Sequence, residues 1–217
     1  MSVPLARLHE DRTYASAQVF HRVRVHLMAH AVGAANDRAF ATMIASQVAG
    51  AGALPPWLGL EPAAYRCLLD HHFPGARPSL KEAPVSHGAG SGDGATAGGT
   101  ATRGDPGQRE EERADLVRLL LMHRAGDSPS LGWMAQVVAA ACMGGDHLWQ
   151  DLGLLDRGEL NALMRNNFPS LAARNVKDMK WKRFLYKQLC EAEGIHACRA
   201  PSCEVCTDYP VCFGPDD

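Results

Sequence analysis

Four cysteines lie close together near the end of the sequence, at Cys198, Cys203, Cys206 and Cys212. Their spacing is C-x4-C-x2-C-x5-C, so all four fall within fifteen consecutive residues. Cysteine thiolates are soft ligands that bind zinc and the iron atoms of iron–sulfur clusters. The sequence therefore predicts a metal site in the C-terminal segment, residues 195–217.

The spacing leaves two classes of metal site open. Structural zinc sites usually combine two closely spaced ligand pairs separated by roughly a dozen residues or more, and this segment has no such separation. The C-x4-C-x2-C order of Cys198, Cys203 and Cys206 occurs in plant-type ferredoxins, although that fold also needs strands and a distant fourth cysteine. An iron–sulfur cluster is therefore favoured, and zinc is the alternative cofactor.

A helix is predicted directly before the cysteines, over residues 176–193. Asn175 is the expected N-cap, Asp178 stands in the position of a capping box, and Gly194 is the expected C-terminal stop. This helix is the element that must position the metal site.

One face of the predicted helix is positive, because Lys180, Arg183 and Lys187 recur at helical spacing. Such a face would stabilise an anionic thiolate cluster or an oxyanion such as molybdate. A solvated helix face is the commoner use of such a stripe. His196, two residues before Cys198, is a possible auxiliary ligand.

Hydrophobic periodicity predicts an all-α fold, because few β-branched runs alternate with the period of a strand. The other predicted helices cover approximately residues 14–30, 36–48, 61–72, 109–124, 131–143 and 156–166. A glycine-rich segment, residues 84–109, has the composition of a disordered linker. It separates an N-terminal helical half, residues 1–83, from a C-terminal helical half, residues 110–194.

The two halves resemble each other in sequence. The matches, at offsets of 89 to 95 residues, are Val23-Arg24 with Val117-Arg118, Leu27-Met28 with Leu121-Met122, Gln47-Val48 with Gln136-Val137, Leu58-Gly59-Leu60 with Leu152-Gly153-Leu154, and Phe73-Pro74 with Phe168-Pro169. Their unbroken order predicts a duplicated unit of about 55 residues and hence two similar three-helix halves, although helix amphipathicity alone supplies some such matches.

Composition and charge argue against several classes of function. The chain has 217 residues, of which 46% are hydrophobic and 21% charged, as in ordinary globular proteins. Its formal net charge of -2 argues against nucleic-acid binding, and no apolar stretch reaches the roughly 20 residues that span a bilayer. The early charged residues leave no room for a secretion signal, so a cytoplasmic protein is expected. No P-loop or H-E-x-x-H motif is present, and no enzyme activity or catalytic residue is predicted.

The basic aromatic run at 180–186, followed by the four-cysteine motif, resembles the NifQ family of nitrogen-fixation proteins. The resemblance implies a molybdenum donor for the iron–molybdenum cofactor of nitrogenase, which carries the metal within a molybdenum–iron–sulfur cluster. The implied partners are the nitrogenase cofactor scaffold complex (NifEN) and the nitrogenase iron protein (NifH), with molybdate or another molybdenum donor as the source. The family motif falls on the four cysteines alone. The alternative is a zinc-stabilised protein-interaction or regulatory module.

Overall fold

The computed structural model describes residues 5–76 and 106–192, with side chains from residue 14 in the first range and from residue 107 in the second. The elements in these ranges are α1 (Leu5–Ala29), α2 (Asp37–Val48), a 3-10 turn (Pro56–Gly59), α3 (Pro62–His72), α4 (Pro106–Met122), α5 (Pro129–Cys142), α6 (Leu148–Asp151), α7 (Arg157–Asn167), α8 (Pro169–Ala172) and α9 (Trp181–Ala192). No strand occurs among them, which confirms the all-α prediction for this part of the chain.

Local sequence explains where several helices begin. Pro129 occupies the first turn of α5, and the Ser128 hydroxyl accepts a hydrogen bond from the Ser130 backbone N–H at 3.3 Å. The Asp156 carboxylate caps α7 by accepting from the Glu159 N–H at 2.8 Å. These caps satisfy backbone donors that a helix start leaves without an intrahelical partner.

Helices α2 and α5 form the centre of the fold, with α1 packed along α2 and α4 packed along α5. Both central helices are buried on nearly all sides, which explains their runs of small and apolar residues. A single hydrophobic core includes residues from both described ranges, such as Phe40, Phe73, Met134 and Phe168, each with 0% exposure.

Two glycines of the repeated Leu-Gly-Leu motif make corresponding contacts between the two described ranges. Gly59 (φ 77°) packs against Ala140 of α5, and Gly153 (φ 68°) packs against Ser46 of α2. A Cβ atom at either glycine would overlap the side chain it faces. These positions therefore need glycine for both its backbone angle and its small size. The similarity of the two halves as wholes stays a prediction.

The predicted start of the last helix was wrong. The helix begins at Trp181, and not at residue 176, because the Asn175 side chain closes a turn instead of capping a helix. Asn175 Oδ1 accepts from the Met179 N–H at 2.9 Å, and its Nδ2 donates to the Met179 carbonyl at 3.0 Å. Asp178 adopts a positive φ of 49°, so a regular right-handed helix cannot run through this position.

The helix α4 begins at Pro106, inside the range predicted as a linker. Residues 84–105 of that linker, Gly194 and the segment 195–217 lie outside the described residues, so those predictions stay open. None of the described helices combines the length and apolar character needed to cross a bilayer.

Candidate functional site

The predicted metal ligands Cys198, Cys203, Cys206 and Cys212, together with the auxiliary candidate His196, lie outside the described residues. Within the described ranges, no group of three or more His, Cys, Asp or Glu side chains is arranged to hold a metal ion. The structure does describe α9, which ends six residues before the first cysteine of the motif.

Helix α9 packs through one apolar face. Trp181, Phe184, Leu185 and Tyr186 are all buried, and the rings of Trp181 and Phe184 meet edge-to-face at 5.7 Å. Trp181 Nε1 also donates to Asn161 Oδ1 of α7 at 2.6 Å. Trp181 and Leu185, which stand four residues apart, thus lie on the packing face of the helix.

A buried ion pair holds the first turn of α9. Lys182 Nζ bonds to Asp151 Oδ2 at the end of α6 and donates to the Gly144 carbonyl at 2.9 Å. The side chains of Lys182 and Asp151 are only 11% and 2% exposed. Burial raises the pKa of the Asp151 carboxyl, an effect that the hydrogen bond and charge of Lys182 oppose.

Sequence reasoning missed this pair. Lys182 stands among the basic residues of the helix, and no local pattern connects it with Asp151, which lies 31 residues earlier. Gly144 contributes by its small size, because a side chain at that position would overlap the Asp151 carboxylate. The contact makes Lys182 an anchor of the helix and not a solvated charge.

A second polar contact joins α9 to α4. The Tyr186 hydroxyl donates to Glu112 Oε1, and both side chains are buried. The helix is therefore attached along its length to three other elements, α4, α6 and α7. These contacts fix the position of α9, the last described helix before the cysteines.

The predicted basic stripe is less exposed than a solvated face. Lys187 is exposed and lies 3.8 Å from Glu191 Oε1, as an i,i+4 ion pair. Lys180 and Arg183 are both partly buried. Lys180 also supplies the carbonyl that accepts from the Phe184 N–H at 2.9 Å. Among the three predicted basic residues, Lys187 presents its charge most openly to solvent.

A buried polar network that no local sequence pattern predicts centres on His72. His72 Nδ1 lies 2.6 Å from Asp37 Oδ1, and His72 Nε2 lies 3.0 Å from Ser130 Oγ. Asp37 Oδ2 accepts the backbone N–H groups of Gly33 and Ala34, each at 2.8 Å. Burial lowers the pKa of His72, although the hydrogen bond to Asp37 opposes this effect.

Ser130, His72 and Asp37 stand in the order of a nucleophile, a general base and the carboxylate that orients the base. Its burial points to a structural role, because His72 is 0% exposed and Ser130 is 6% exposed. The Ser130 oxygen also accepts from Asn36 Nδ2 at 3.0 Å, and Asn36 forms a reciprocal amide pair with Asn167. The network therefore joins helices of both described ranges.

A cleft of about 440 Å³ lies where α1, the end of α2 and the α6 region meet. Its walls include Phe20, Ser46, Trp149 and Leu155, and none of the described side chains that line it is ionisable. The described lining therefore offers an anionic ligand no compensating charge.

Comparison with known proteins places the chain in a family. The NifQ family model matches residues 39–214, a range that includes all four cysteines of the C-terminal motif. Protein NifQ of Azotobacter vinelandii is 44% identical over 177 residues, which cover 80% of this chain and 86% of the relative. Protein NifQ of Rhodobacter capsulatus is 32% identical over 169 residues, 77% of this chain and 82% of the relative. No solved structure matches the chain. On the extent of these matches, the chain belongs to the NifQ family.

Proposed function

We propose that this protein carries molybdenum within a molybdenum–iron–sulfur cluster and donates it during assembly of the nitrogenase iron–molybdenum cofactor. NifQ proteins take part in nitrogen fixation, and the coarse role follows from family membership. The observation that carries the finer proposal is the position of the cysteines. Cys198, Cys203, Cys206 and Cys212 all lie within the range that matches the family model.

The chemistry of the ligands suits a carrier. Thiolates bind the iron atoms of clusters strongly, whereas molybdenum also takes oxygen ligands and can keep an exchangeable position. A donor needs such exchange, because a site as tight as a structural zinc site would retain its metal. The cluster is cargo in this proposal, and the protein acts as a cytoplasmic carrier and not as an enzyme.

The described part of the chain supports the proposal by anchoring α9. The contacts of Trp181, Lys182 and Tyr186 hold the helix against the rest of the fold. A transfer protein gains from this arrangement because a fixed helix limits the volume that the cluster-bearing segment can search before it meets an acceptor.

The implied acceptors are the cofactor scaffold complex and the nitrogenase iron protein. The positive residues of the last helix, Lys180, Arg183 and Lys187, are proposed to steer or dock an acidic surface of an acceptor. The same charges would stabilise an anionic cluster nearby. His196 is proposed as an auxiliary ligand of the cluster or as a residue that tunes it.

Elemental analysis tests the proposal. The protein is purified without oxygen from nitrogen-fixing cells supplied with molybdate, beside a variant in which all four motif cysteines are serine. Brown protein that contains iron and molybdenum, both lost in the variant, supports the carrier. Colourless protein with one zinc ion per chain instead supports the zinc-stabilised interaction module and contradicts the carrier.

A further inference from the structure

A polar cluster lies where the end of α4, the short helix α8 and α9 meet. His123 Nδ1 is 2.8 Å from Ser170 Oγ, and Arg174 Nη1 donates to Gln188 Oε1 at 3.2 Å. Neither contact takes part in the proposed carriage of the cluster. Three separate segments of the chain thus supply the polar groups of one surface site.

Ser170 and Arg174 lie on one helical segment. The Ala173 N–H bonds to the Pro169 carbonyl and the Arg174 N–H to the Leu171 carbonyl, so about one turn of chain separates the two side chains. Ser170 touches His123, and the positive charge of Arg174 acts on the same imidazole.

The pKa of His123 is consistent with this placement. It is lowered first by partial burial and then by the positive charge of Arg174. Each of the two groups therefore lies within the range of the other's charge, and they repel each other when both are charged.

Two carboxylates close in sequence to the cluster residues already have partners. Asp127 is paired with Arg124 at 2.6 Å, and Glu191 accepts from Gln188 Nε2 at 2.7 Å while lying 3.8 Å from Lys187. Within the described residues, no carboxylate forms an ion pair with Arg174 or His123. The cluster has an excess of positive charge that an anion would neutralise.

We propose that His123, Ser170 and Arg174 form a binding site for a tetrahedral oxyanion, the chemical class that includes molybdate, sulfate and phosphate. The guanidinium keeps donors that Gln188 does not use. When His123 is protonated, its Nδ1–H donates to Ser170 Oγ, and the serine hydroxyl is then free to donate to the ligand. The Nε2–H of the imidazolium is a third donor.

Binding at this site is coupled to a proton. Because the anion favours the charged imidazole, it raises the pKa of His123, and by linkage it binds more tightly as the pH falls. The identification of the physiological ligand as molybdate rests on the proposed function. The site itself rests only on the contacts and charges of the described residues.

Nuclear magnetic resonance of the His123 imidazole tests the proposal. The full chain is used with its four motif cysteines replaced by serine, so that the C-terminal segment does not take up metal, and His123→Gln identifies the signal. Molybdate, sulfate and sodium chloride of equal ionic strength are compared between about pH 8 and about pH 6. We expect molybdate to raise the His123 pKa above its value in chloride.

Matched variants distinguish specific oxyanion binding from a general effect of salt on the His123 pKa. Arg174→Gln is expected to weaken the molybdate response about tenfold, because the variant loses a charge-assisted hydrogen bond. Ser170→Ala is expected to weaken it without a change of charge. Arg157→Gln removes an equal charge from an arginine already held by Asp178 at 3.0 Å and should leave the response unchanged.

An equal response to sulfate and molybdate supports a general oxyanion site, and a response to molybdate alone supports one selective for the proposed cargo. A His123 pKa that is the same in molybdate and chloride overturns the site, as does an undiminished response in Arg174→Gln. Neither failure bears on the cluster carrier, which is judged separately by the iron and molybdenum content of the protein with its cysteines intact.

Discussion

His72 Nδ1 and Asp37 Oδ1 lie 2.6 Å apart in the interior, and the imidazole has no exposure to solvent. A carboxylate accepts hydrogen bonds only, so Nδ1 carries the proton and Nε2 must accept from the Ser130 hydroxyl. The hydrogen bonds of the network then run in one direction. A second proton on His72 would sit on Nε2, and the hydroxyl hydrogen of Ser130 would then lose its acceptor.

Acid is therefore expected to destabilise the protein through His72. Because burial lowers its pKa in the folded state, the unfolded state binds a proton first, and stability falls as the pH decreases through the ordinary histidine range. The loss is at most about 1.4 kcal/mol per pH unit for one group. Urea unfolding between about pH 7.5 and about pH 5.5 measures it.

Two variants identify the source of this pH dependence. His72→Gln should flatten it, because the titrating group is gone, whereas His21→Gln, at an exposed position, should preserve it. Asp37 and the neighbouring His71 also act on His72, so Asp37→Asn provides a further comparison. An unchanged slope in His72→Gln would mean that other groups cause the pH dependence.

The buried pair of Lys182 and Asp151 predicts a double-mutant result. Lys182→Met leaves the Asp151 carboxylate buried without its cation and should cost about 3 kcal/mol or more. The double variant Lys182→Met with Asp151→Leu should regain much of that loss, because no buried charge remains. Urea unfolding of the single and double variants gives the coupling energy.

The control for this cycle is Lys187→Met, which removes an equal charge from the exposed pair with Glu191. It should change stability by less than about 1 kcal/mol. If both lysine variants have equal effects, the buried pair is no stronger than a surface contact, and Lys182 does not anchor α9.

Substitution at Gly153 should be costly for two separable reasons. Gly153→Ala puts a side chain at a φ of 68° and directs its Cβ into Ser46, so a loss of about 2 kcal/mol or more is expected. Adding Ser46→Gly removes the overlap and should recover part of the loss. Because Ser46→Gly also removes the hydrogen bond from Ser46 Oγ to the Gly153 carbonyl and puts glycine inside α2, the Ser46→Gly single variant is the reference. Thermal unfolding of all three variants separates the overlap from the backbone contribution.

Gly126→Ala is the matched control. Gly126 has an ordinary backbone angle, and apart from its chain neighbours no atom in the described part of the chain lies within 4 Å of the Cβ that the substitution would add. This variant should be neutral or slightly more stable than the parent chain. A similar loss at Gly126 and Gly153 would show that packing against Ser46 is unimportant.

The proposed docking role of the last helix predicts a salt-dependent defect in transfer. Lys187→Glu should slow molybdenum transfer to the acceptor several-fold at low ionic strength, and the difference should shrink as salt screens the charges. Arg165→Glu, an equal reversal at an exposed position of α7, is the control. Unequal iron or molybdenum content between the two variants would point to the site itself and not to docking.

Amphipathic periodicity and capping are local properties, so the sequence alone predicted most of the longer helices. The predicted range 36–48 matches α2, and the predicted range 156–166 matches α7 to within a residue at each end. The sequence alone also indicated the family, since the basic aromatic run and the cysteine spacing are readable along the chain. The start of α9 could not be read in this way, because Asn175 forms either a cap or a turn and local bonding to Met179 selects the turn.

The packing of the helices brings together polar residues that no local pattern connects. Asp37, His72 and Ser130 lie far apart in the sequence and become one network because α2, α3 and α5 meet in the core. The same holds for Lys182 with Asp151 and, at the surface, for His123 with Ser170. A lone polar residue in a helical pattern has the same local signature whether it is solvated or buried, and packing alone settles its partner and its charge state.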